Sequence, residues 1–193
     1  MKQHIISPTV IAESYNPKHK TILNSLKKFI KNSQIKNKNL KTNWISKDTF
    51  NTLHNIDINT VSEFKNLNTW VYQQVDIYKT LIGYVSPMKP NGAWFNVYYK
   101  NNFQEYHSHY EHDVSAIYFL KSNNKSAKTF FQSPLHDIAF KAPFNENVQM
   151  TYHEISFLPI QGNLLIFPGY LKHCVEMHKQ DETRISCAYN FNA

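Results

Sequence analysis

The sequence predicts a mainly β domain with α-helices in its N-terminal half, and two observations support this prediction. From Trp94 onward, short apolar runs are separated by turn residues, a pattern typical of a sandwich or barrel of antiparallel strands. Before that point, apolar residues recur at helical spacing. Because 193 residues correspond to one domain, we expect residues 1–90 to form a strand with supporting helices, and residues 91–193 to form the β core.

The first helix is predicted to follow an edge strand. Residues 4–13 alternate enough to favour a strand that adds to the edge of a sheet. The dipeptide Asn16-Pro17 is a helix start signal. The apolar residues of this helix recur at helical spacing at Ile22, Leu23, Leu26, Phe29 and Ile30. Residues 33–58 are polar and mixed, which predicts a loop.

A capping box predicts where the second helix begins. Thr60 would be its N-cap, and Glu63 stands three residues later. Pro87, Pro90 and Gly92 then end the helical half of the chain. The apolar face of the helix would consist of Phe64, Leu67, Trp70, Val71 and Val75, continuing toward Tyr78 and Leu81.

The C-terminal half predicts seven short strands. They are expected near residues 94–100, 114–120, 127–131, 150–158, 163–167, 173–177 and 183–191. The longest irregular stretch, residues 121–149, is a candidate cover for one mouth of the barrel.

Composition excludes several classes of protein. An apolar content of 41% with 4 Gly is typical of a chain that buries a core. The longest apolar run, 164–170, is too short to cross a bilayer, and the N-terminus has no stretch that resembles a secretory signal. Two cysteines, Cys174 and Cys187, are too few for a disulfide framework. A soluble cytoplasmic protein without a membrane partner is therefore expected.

The net charge of +7 raises the alternative of a basic nucleic-acid-binding protein. The surplus comes from lysines scattered through an Asn- and Ile-rich chain, and their densest run, residues 27–41, is typical of the solvated side of a helix and the following loop. We therefore favour a solvated basic surface over a nucleic-acid interface.

A pair of histidines indicates half of a transition-metal site. His107 and His109 are one residue apart, so on an extended chain both point to the same side. Two imidazoles at a strand end are typical metal ligands. His173, directly after a Phe-Pro turn motif, is the candidate for the distal ligand. His112 and His178 are predicted to be exposed loop residues.

A second cluster predicts a binding site for a carboxylate. If a hairpin turns at His178, then His173 and Arg184 lie opposite each other on paired strands, and Ser186 shares their face. The guanidinium fork can donate two parallel hydrogen bonds to a carboxylate, and the Ser186 hydroxyl can add a donor. A metal ligand beside such a clamp suits a keto acid that chelates iron at one end and carries a free carboxylate at the other.

This order of residues, H-x-H, then a distal His, then R-x-S, resembles the Fe(II)/2-oxoglutarate-dependent oxygenases. The resemblance covers residues 91–193 and is closest to a set common in marine bacteria and their phages. It implies a double-stranded β-helix, or jelly roll, with helices packed outside. The motif residues of that set appear here as Trp94, Asn96, His107, His109, Ser115 and Tyr118.

The resemblance also implies roles for individual residues. His107 and His173 match iron ligands, and Arg184 with Ser186 matches the 2-oxoglutarate clamp. The remaining contacts with 2-oxoglutarate would come from Asn96, Tyr98 and Tyr118, although Ser115 and Tyr118 fit a place in the core equally well. The implied reaction consumes O2 and 2-oxoglutarate, releases succinate and CO2, and hydroxylates a substrate, with ascorbate as the reductant in vitro.

One position departs from the family pattern, which has a carboxylate where this chain has His109. His109 would itself be the third ligand, because the spacing from Tyr98 to His107 matches the family. Glu111 is the second candidate, through a shifted H-x-E pair that leaves His107 outside the metal's ligands. In a third reading His109 swings away, and water, Glu111 or Asp113 fills its place.

Two further hypotheses compete with a hydroxylase. A non-catalytic metal-binding β-barrel would result if the missing carboxylate abolished turnover. A zinc hydrolase could use three His ligands, but it leaves the Arg184–Ser186 clamp unexplained.

The sequence does not specify the primary substrate, so a peptide side chain, an amino acid, a nucleobase or a small metabolite all fit. It does not specify the oligomeric state.

Overall fold

The computed structural model describes residues 2, 8–37, 42–135 and 153–193 of the chain. Two longer helices and ten strands form these parts, together with a short 3-10 helix at Ser62–Phe64. The elements are β1 (Ala12–Tyr15), α1 (His19–Lys36), β2 (Phe50–Asn51), α2 (Lys65–Leu81), β3 (Lys89–Tyr98), β4 (Gln104–His107), β5 (Val114–Lys121), β6 (Thr129–Gln132), β7 (Glu154–Phe157), β8 (Asn163–Pro168), β9 (His173–Val175) and β10 (Arg184–Asn192).

The strands form two antiparallel sheets that pack face to face. The larger sheet has the order β1-β8-β5-β10-β3-β2, and the smaller has the order β4-β9-β6-β7. An aromatic and aliphatic core that includes Phe119, Phe131 and Phe167 fills part of the space between them. The prediction of a mainly β jelly roll with antiparallel strands is therefore confirmed.

The two helices cover the outer face of the six-stranded sheet. Every third or fourth residue of each helix is buried there, with Leu26 and Val71 fully inaccessible to solvent. Alternate residues of the central strands, such as Phe95 and Tyr189, supply the other side of this core. The predicted apolar face of α2 is confirmed as far as Tyr78, whereas Leu81 is 67% exposed at the end of the helix.

The first helix begins as predicted and continues further. The Asn16 side chain accepts a hydrogen bond from the Lys18 N–H at 2.9 Å, and α1 starts at His19. The helix extends to Lys36, past the loop boundary predicted at residue 33, because Ser33 is buried and extends the packed stripe. The edge strand is found at Ala12–Tyr15 and pairs with β8, while residues 4–7 of its predicted range lie outside the described residues.

The predicted capping box at the second helix is wrong. The Thr60 hydroxyl donates to the Asp57 carbonyl instead of capping a helix, and the Glu63 carboxylate accepts from the Ser62 hydroxyl. The Asp57 side chain accepts from the Asn59 N–H at 2.9 Å. An Asx turn at Asp57 therefore organises the segment that leads into the second helix. The spacing of Thr60 and Glu63 fits a capping box equally well, so the sequence alone does not show which of these local hydrogen bonds forms.

The predicted hairpin between His173 and Arg184 is also wrong. β9 pairs with β4 and β6 in the smaller sheet, whereas β10 lies between β3 and β5 in the larger one. His178 holds this crossing connection: its backbone N–H donates to the Asn102 carbonyl at 2.8 Å, and its ring is fully buried. The prediction that His178 is an exposed loop residue therefore fails as well, because alternation along a strand does not specify which strand pairs with it.

Other differences are confined to short elements. β2 falls in a segment that was expected to be loop, and β4 falls in the polar stretch between two apolar runs. Of the predicted cover at residues 121–149, residues 136–149 lie outside the described residues. Within the described ranges, neither helix combines the length and apolarity needed to cross a membrane.

A tight contact at Gly169 joins the two turns that hold the histidines. The Gly169 carbonyl accepts from the His109 N–H at 2.7 Å, and its own N–H donates to the Asp113 carbonyl at 3.1 Å. A Cβ atom at Gly169 would lie 2.0 Å from the His112 carbonyl oxygen and 2.6 Å from that of His109. Glycine is therefore required here by the close approach of two backbones.

We expect Gly169→Ala to lower thermal stability and to weaken metal binding, because the backbone that carries His109 must move. Gly83→Ala is the matched control: its Cβ would meet nothing within 4 Å, so it carries only the cost of φ +84, about 1–3 kcal/mol. Thermal unfolding and Mn(II) titration of both variants test this. Equal metal affinity in Gly169→Ala and wild type would contradict the proposed constraint.

Candidate active site

Three histidines from separate parts of the chain converge between the sheets. His107 and His173 are register partners on β4 and β9, and His109 follows in the turn after β4. A ring nitrogen of each lies within 4.8 Å of those of the other two. The ring centroids of His107 and His173 are 4.2 Å apart, and each is 5.2 Å from that of His109. This separation lets three imidazoles contact one metal ion.

Hydrogen bonds fix the tautomer of each imidazole. Nδ1 of His107 lies 2.9 Å from the Glu105 carbonyl oxygen, and Nδ1 of His173 lies 3.0 Å from the Leu171 carbonyl oxygen. Nδ1 of His109 lies 2.8 Å from the Asn190 side-chain oxygen. A carbonyl oxygen only accepts, so each Nδ1 carries the proton and each Nε2 presents a lone pair. Partners of this kind orient metal-bound histidines.

Burial keeps all three imidazoles neutral. It lowers the pKa of His109 to about 4, and the neighbouring imidazoles His107 and His112 would oppose a positive charge there. Burial also lowers the pKa of His107, and holds the pKa of the fully enclosed His173 well below the usual range. Neutral imidazole is the form that binds a metal, so the cluster is ready for coordination at neutral pH.

A cavity between the sheets is lined by the three histidines and by Arg184. The Arg184 side chain belongs to a residue that is only 1% exposed. One terminal nitrogen donates to the Thr129 hydroxyl at 3.1 Å, the other to the Ser186 hydroxyl at 3.4 Å, and Nε has no partner among the described residues. The guanidinium carbon lies 4.7 Å from the centre of the Tyr98 ring. None of the described residues lining the cavity is Asp or Glu, so this buried cation lacks a carboxylate there.

The register of β3 and β10 places other predicted residues along the same wall. Tyr98 pairs with Arg184, and Asn96 pairs with Ser186. All four side chains line the cavity together with the three histidines. The Tyr98 hydroxyl donates to the Gln104 side chain at 3.1 Å, and burial raises the pKa of Tyr98 to about 12. The predicted Asn96–Tyr98 pair therefore lies beside the predicted clamp.

Tyr118 corrects the sequence-based assignment. It points to the opposite face of β5, where its hydroxyl bonds Nδ1 of His19 at 2.8 Å and its ring packs against Trp70. Tyr118 therefore belongs to the core between sheet and helices and does not line the cavity. Ser115 lies behind the histidine cluster, because its hydroxyl donates at 2.8 Å to the Asn190 side-chain oxygen that also holds His109.

The geometry also distinguishes between the candidates for the third metal ligand. His109 joins the cluster, held by Asn190 and in contact with the Trp94 ring at 5.7 Å between centroids. Glu111 is exposed, and the Asp113 carboxylate accepts from the Ala193 N–H. Neither carboxylate belongs to the group of converging ligand atoms in the described residues.

Several residues of the site were not identified from the sequence. Thr129 and Asn190 supply the partners of Arg184 and His109, and Gln104 bonds both Tyr98 and His107. Trp94, a motif residue for which no role in the site was predicted, lines the cavity with an indole N–H that has no partner in the described part of the chain. Asn190 shares the strand period of Arg184 and Ser186, and that spacing could have identified it.

The lowered histidine pKa values predict how stability depends on pH. The unfolded chain takes up protons near pH 6.5, whereas folded His109 does so near pH 4, so the unfolding free energy falls as the pH falls through this window. Each such histidine contributes a slope of up to about 1.4 kcal/mol per pH unit. Urea unfolding of metal-free protein between pH 7 and 4.5 should show a shallower slope in His109→Gln. A slope in His109→Gln equal to that of wild type would contradict this assignment.

The hydrogen bond behind His109 has a matched counterpart outside the cluster. The side-chain oxygen of Asn190 accepts from Nδ1 of His109. Two residues further along β10, the side-chain oxygen of Asn192 lies 3.0 Å from Nδ1 of His112. Loss of such a partner weakens metal binding by about 10- to 100-fold. Asn190→Leu should therefore bind Mn(II) more weakly, while Asn192→Leu should match wild type in the same titration. Equal losses in both variants would indicate a general effect on folding.

Comparisons with known proteins identify the family and the fold. The sequence profile of the family described as "Putative 2OG-Fe(II) oxygenase" matches residues 92–190. No curated protein sequence matches the chain. Among solved structures, a Trichoplax adhaerens prolyl hydroxylase in complex with a peptide fragment of hypoxia inducible factor has a TM-score of 0.66 at 13% identity, covering 94% of this chain and 83% of the other.

Two other solved structures share the fold. HygX from Streptomyces hygroscopicus, with nickel and 2-oxoglutarate bound, has a TM-score of 0.64 at 10% identity and covers 95% of this chain and 83% of its own. An oxidoreductase of the 2OG-Fe(II) oxygenase family from Burkholderia pseudomallei has a TM-score of 0.52 at 11% identity, covering 68% of this chain, which spans 58% of that protein. The profile match, over more than half of the chain, shows that this protein belongs to the 2OG-Fe(II) oxygenase family.

Proposed function

We propose that this protein is a dioxygenase in which His107, His109 and His173 hold Fe(II), and Arg184 binds the distal carboxylate of 2-oxoglutarate. O2 and 2-oxoglutarate would be consumed, succinate and CO2 released, and one oxygen atom added to a C–H bond of the primary substrate. The observation that carries the proposal is Arg184, a buried cation without a carboxylate partner in a cavity that also holds three converging imidazoles.

The chemistry of Arg184 supports a dicarboxylate ligand. Burying a guanidinium without an anion is unfavourable, and the unpartnered Nε–H leaves hydrogen-bonding capacity unused. A carboxylate would satisfy both the charge and the free donor. Thr129 and Ser186 hold the two terminal nitrogens, so the guanidinium is oriented before the ligand arrives.

The chemistry of the histidines supports Fe(II). Three neutral imidazoles with Nε2 lone pairs are suitable donors for this ion, and their Nδ1 partners prevent rotation of the rings. Bound Fe(II) would supply the activation of O2 and the oxidative decarboxylation that protein side chains cannot perform. An all-imidazole set has one negative charge less than two histidines and a carboxylate, so keto-acid binding would contribute more of the charge balance.

The remaining cavity residues would orient ligands and exclude water. Ile117, Phe167 and Val175 give the cavity apolar walls, which strengthens the electrostatic attraction between Arg184 and a carboxylate. Asn96 is held by a hydrogen bond from Asn51 at 2.6 Å, so its amide has a fixed direction in the cavity. These residues supply position and exclusion, which is the role of the protein in this chemistry.

The primary substrate is proposed only by class. The structural relatives include a prolyl hydroxylase in complex with a peptide fragment and HygX in complex with hygromycin B, yet they share only 10–13% identity with this chain. One fold therefore accommodates dissimilar substrates. We propose a small molecule, a peptide side chain or a nucleobase that presents a C–H bond beside the metal.

The decisive variant is Arg184→Met, which keeps an unbranched side chain and removes the charge and the hydrogen-bond donors. Succinate formation from 2-oxoglutarate with Fe(II) and ascorbate should fall about 100-fold or more at low 2-oxoglutarate, because two charge-assisted hydrogen bonds are lost. Thermal stability without ligand should stay equal or rise, since an unpaired buried charge is removed. Arg184→Lys should be intermediate, because an ammonium cannot form the bidentate contact.

A second measurement separates catalysis from metal binding alone. His173→Ala should lose both Mn(II) binding and succinate formation, whereas Arg184→Met should keep Mn(II) binding. Metal binding in wild type without any release of succinate would overturn the proposed activity and favour a non-catalytic metal-binding protein.

A further inference from the structure

Gln104 bridges the two halves of the cavity. It is the first residue of β4 and lines the cavity between the histidine cluster and Tyr98. Its side-chain oxygen accepts from the Tyr98 hydroxyl at 3.1 Å, and its Nε2 lies 3.2 Å from Nε2 of His107. The Gln104 amide therefore contacts His107, a candidate metal ligand, and the hydroxyl of Tyr98, whose ring lies against the Arg184 guanidinium.

The tautomer of His107 defines the direction of this hydrogen bond. Nδ1 carries the proton, since it donates to the Glu105 carbonyl, so Nε2 has only a lone pair to offer. The Gln104 amide must therefore donate its N–H to Nε2. The same lone pair is the one that coordinates a metal, and a single lone pair cannot serve both partners. The hydrogen bond from Gln104 and coordination by His107 exclude each other.

Tyr98 limits where the amide goes once it is released. The Tyr98 hydroxyl holds the oxygen of Gln104, and the Tyr98 ring is fixed by the Arg184 guanidinium and by stacking against Trp44, with ring centroids 6.2 Å apart. The freed N–H thus remains in the cavity, between the metal position and Arg184. A keto acid that chelates a metal at the histidines and pairs with the Arg184 guanidinium would occupy this space.

We propose that Gln104 is a positioning residue that couples metal loading to keto-acid binding. With a metal ion bound at Nε2 of His107, the Gln104 amide would lose this hydrogen bond, and its N–H would then donate to an oxygen of a bound keto acid. This inference rests on the proposed function and adds an order to it: the amide opposes metal binding slightly and favours 2-oxoglutarate only after the metal is bound.

The test is Gln104→Leu, which removes both hydrogen bonds and keeps a similar volume. Mn(II) should bind about three- to ten-fold more tightly than to wild type, because no hydrogen bond competes for Nε2 of His107. 2-Oxoglutarate should bind the Mn(II)-loaded variant about three- to ten-fold more weakly, because one donor is missing. Isothermal titration of Mn(II), and then of 2-oxoglutarate, measures both without turnover.

Opposite signs distinguish this role from a structural one. A residue that only supports the fold would weaken both affinities together when replaced. Tyr98→Phe keeps the ring beneath Arg184 but frees the amide oxygen, so 2-oxoglutarate affinity should fall while Mn(II) affinity stays near wild type. Gln74→Leu removes a glutamine whose partner is Ser14, outside the cavity, and should change neither affinity.

The outcomes also separate this inference from the function on which it rests. Unchanged or weaker Mn(II) binding in Gln104→Leu, with normal binding in wild type, overturns the coupling and leaves the proposed function intact. Failure of wild type to bind Mn(II), or to bind 2-oxoglutarate once loaded, overturns the proposed function itself.

Discussion

A buried guanidinium without a carboxylate partner in its cavity is the constraint on which the site depends. Arg184 is held by two hydroxyl groups and an aromatic face, which orient the cation but do not neutralise it. Such an arrangement costs folding free energy unless an anion completes it. The protein therefore retains an unfavourable feature in its interior that a dicarboxylate ligand would relieve.

At the other end of the cavity, the histidine cluster is also buried, oriented by hydrogen bonds and left with free capacity to bind a ligand. Three imidazoles lie close enough for their positive charges to repel, and burial keeps them neutral instead. Backbone and amide oxygens hold each Nδ1, so the Nε2 lone pairs remain for a metal. Gln104 connects both ends, because one amide touches the histidine cluster and the hydroxyl of the ring beneath Arg184.

Sequence reasoning succeeded where a pattern has a direct geometric meaning. Alternation along β10 correctly grouped Arg184 with Ser186, and helical spacing identified the buried face of α2. It failed where the answer depended on pairing between distant segments. The expected hairpin between His173 and Arg184 is a crossing between sheets, and Tyr118 faces the helices although the adjacent Ile117 lines the cavity.

The sequence by itself determined the class of fold and the residue types of the candidate site. Period, turn residues and the family motif are local properties, and they suffice for a jelly roll with an H-x-H pair, a distal histidine and an R-x-S clamp. Tertiary structure decided that His109 rather than Glu111 joins the cluster, and that Thr129, Asn190 and Gln104 support it. The contacts of Thr129 with Arg184 and of Asn190 with His109 join residues 55 and 81 positions apart, and only the packing of the two sheets against each other brings such groups within hydrogen-bonding distance.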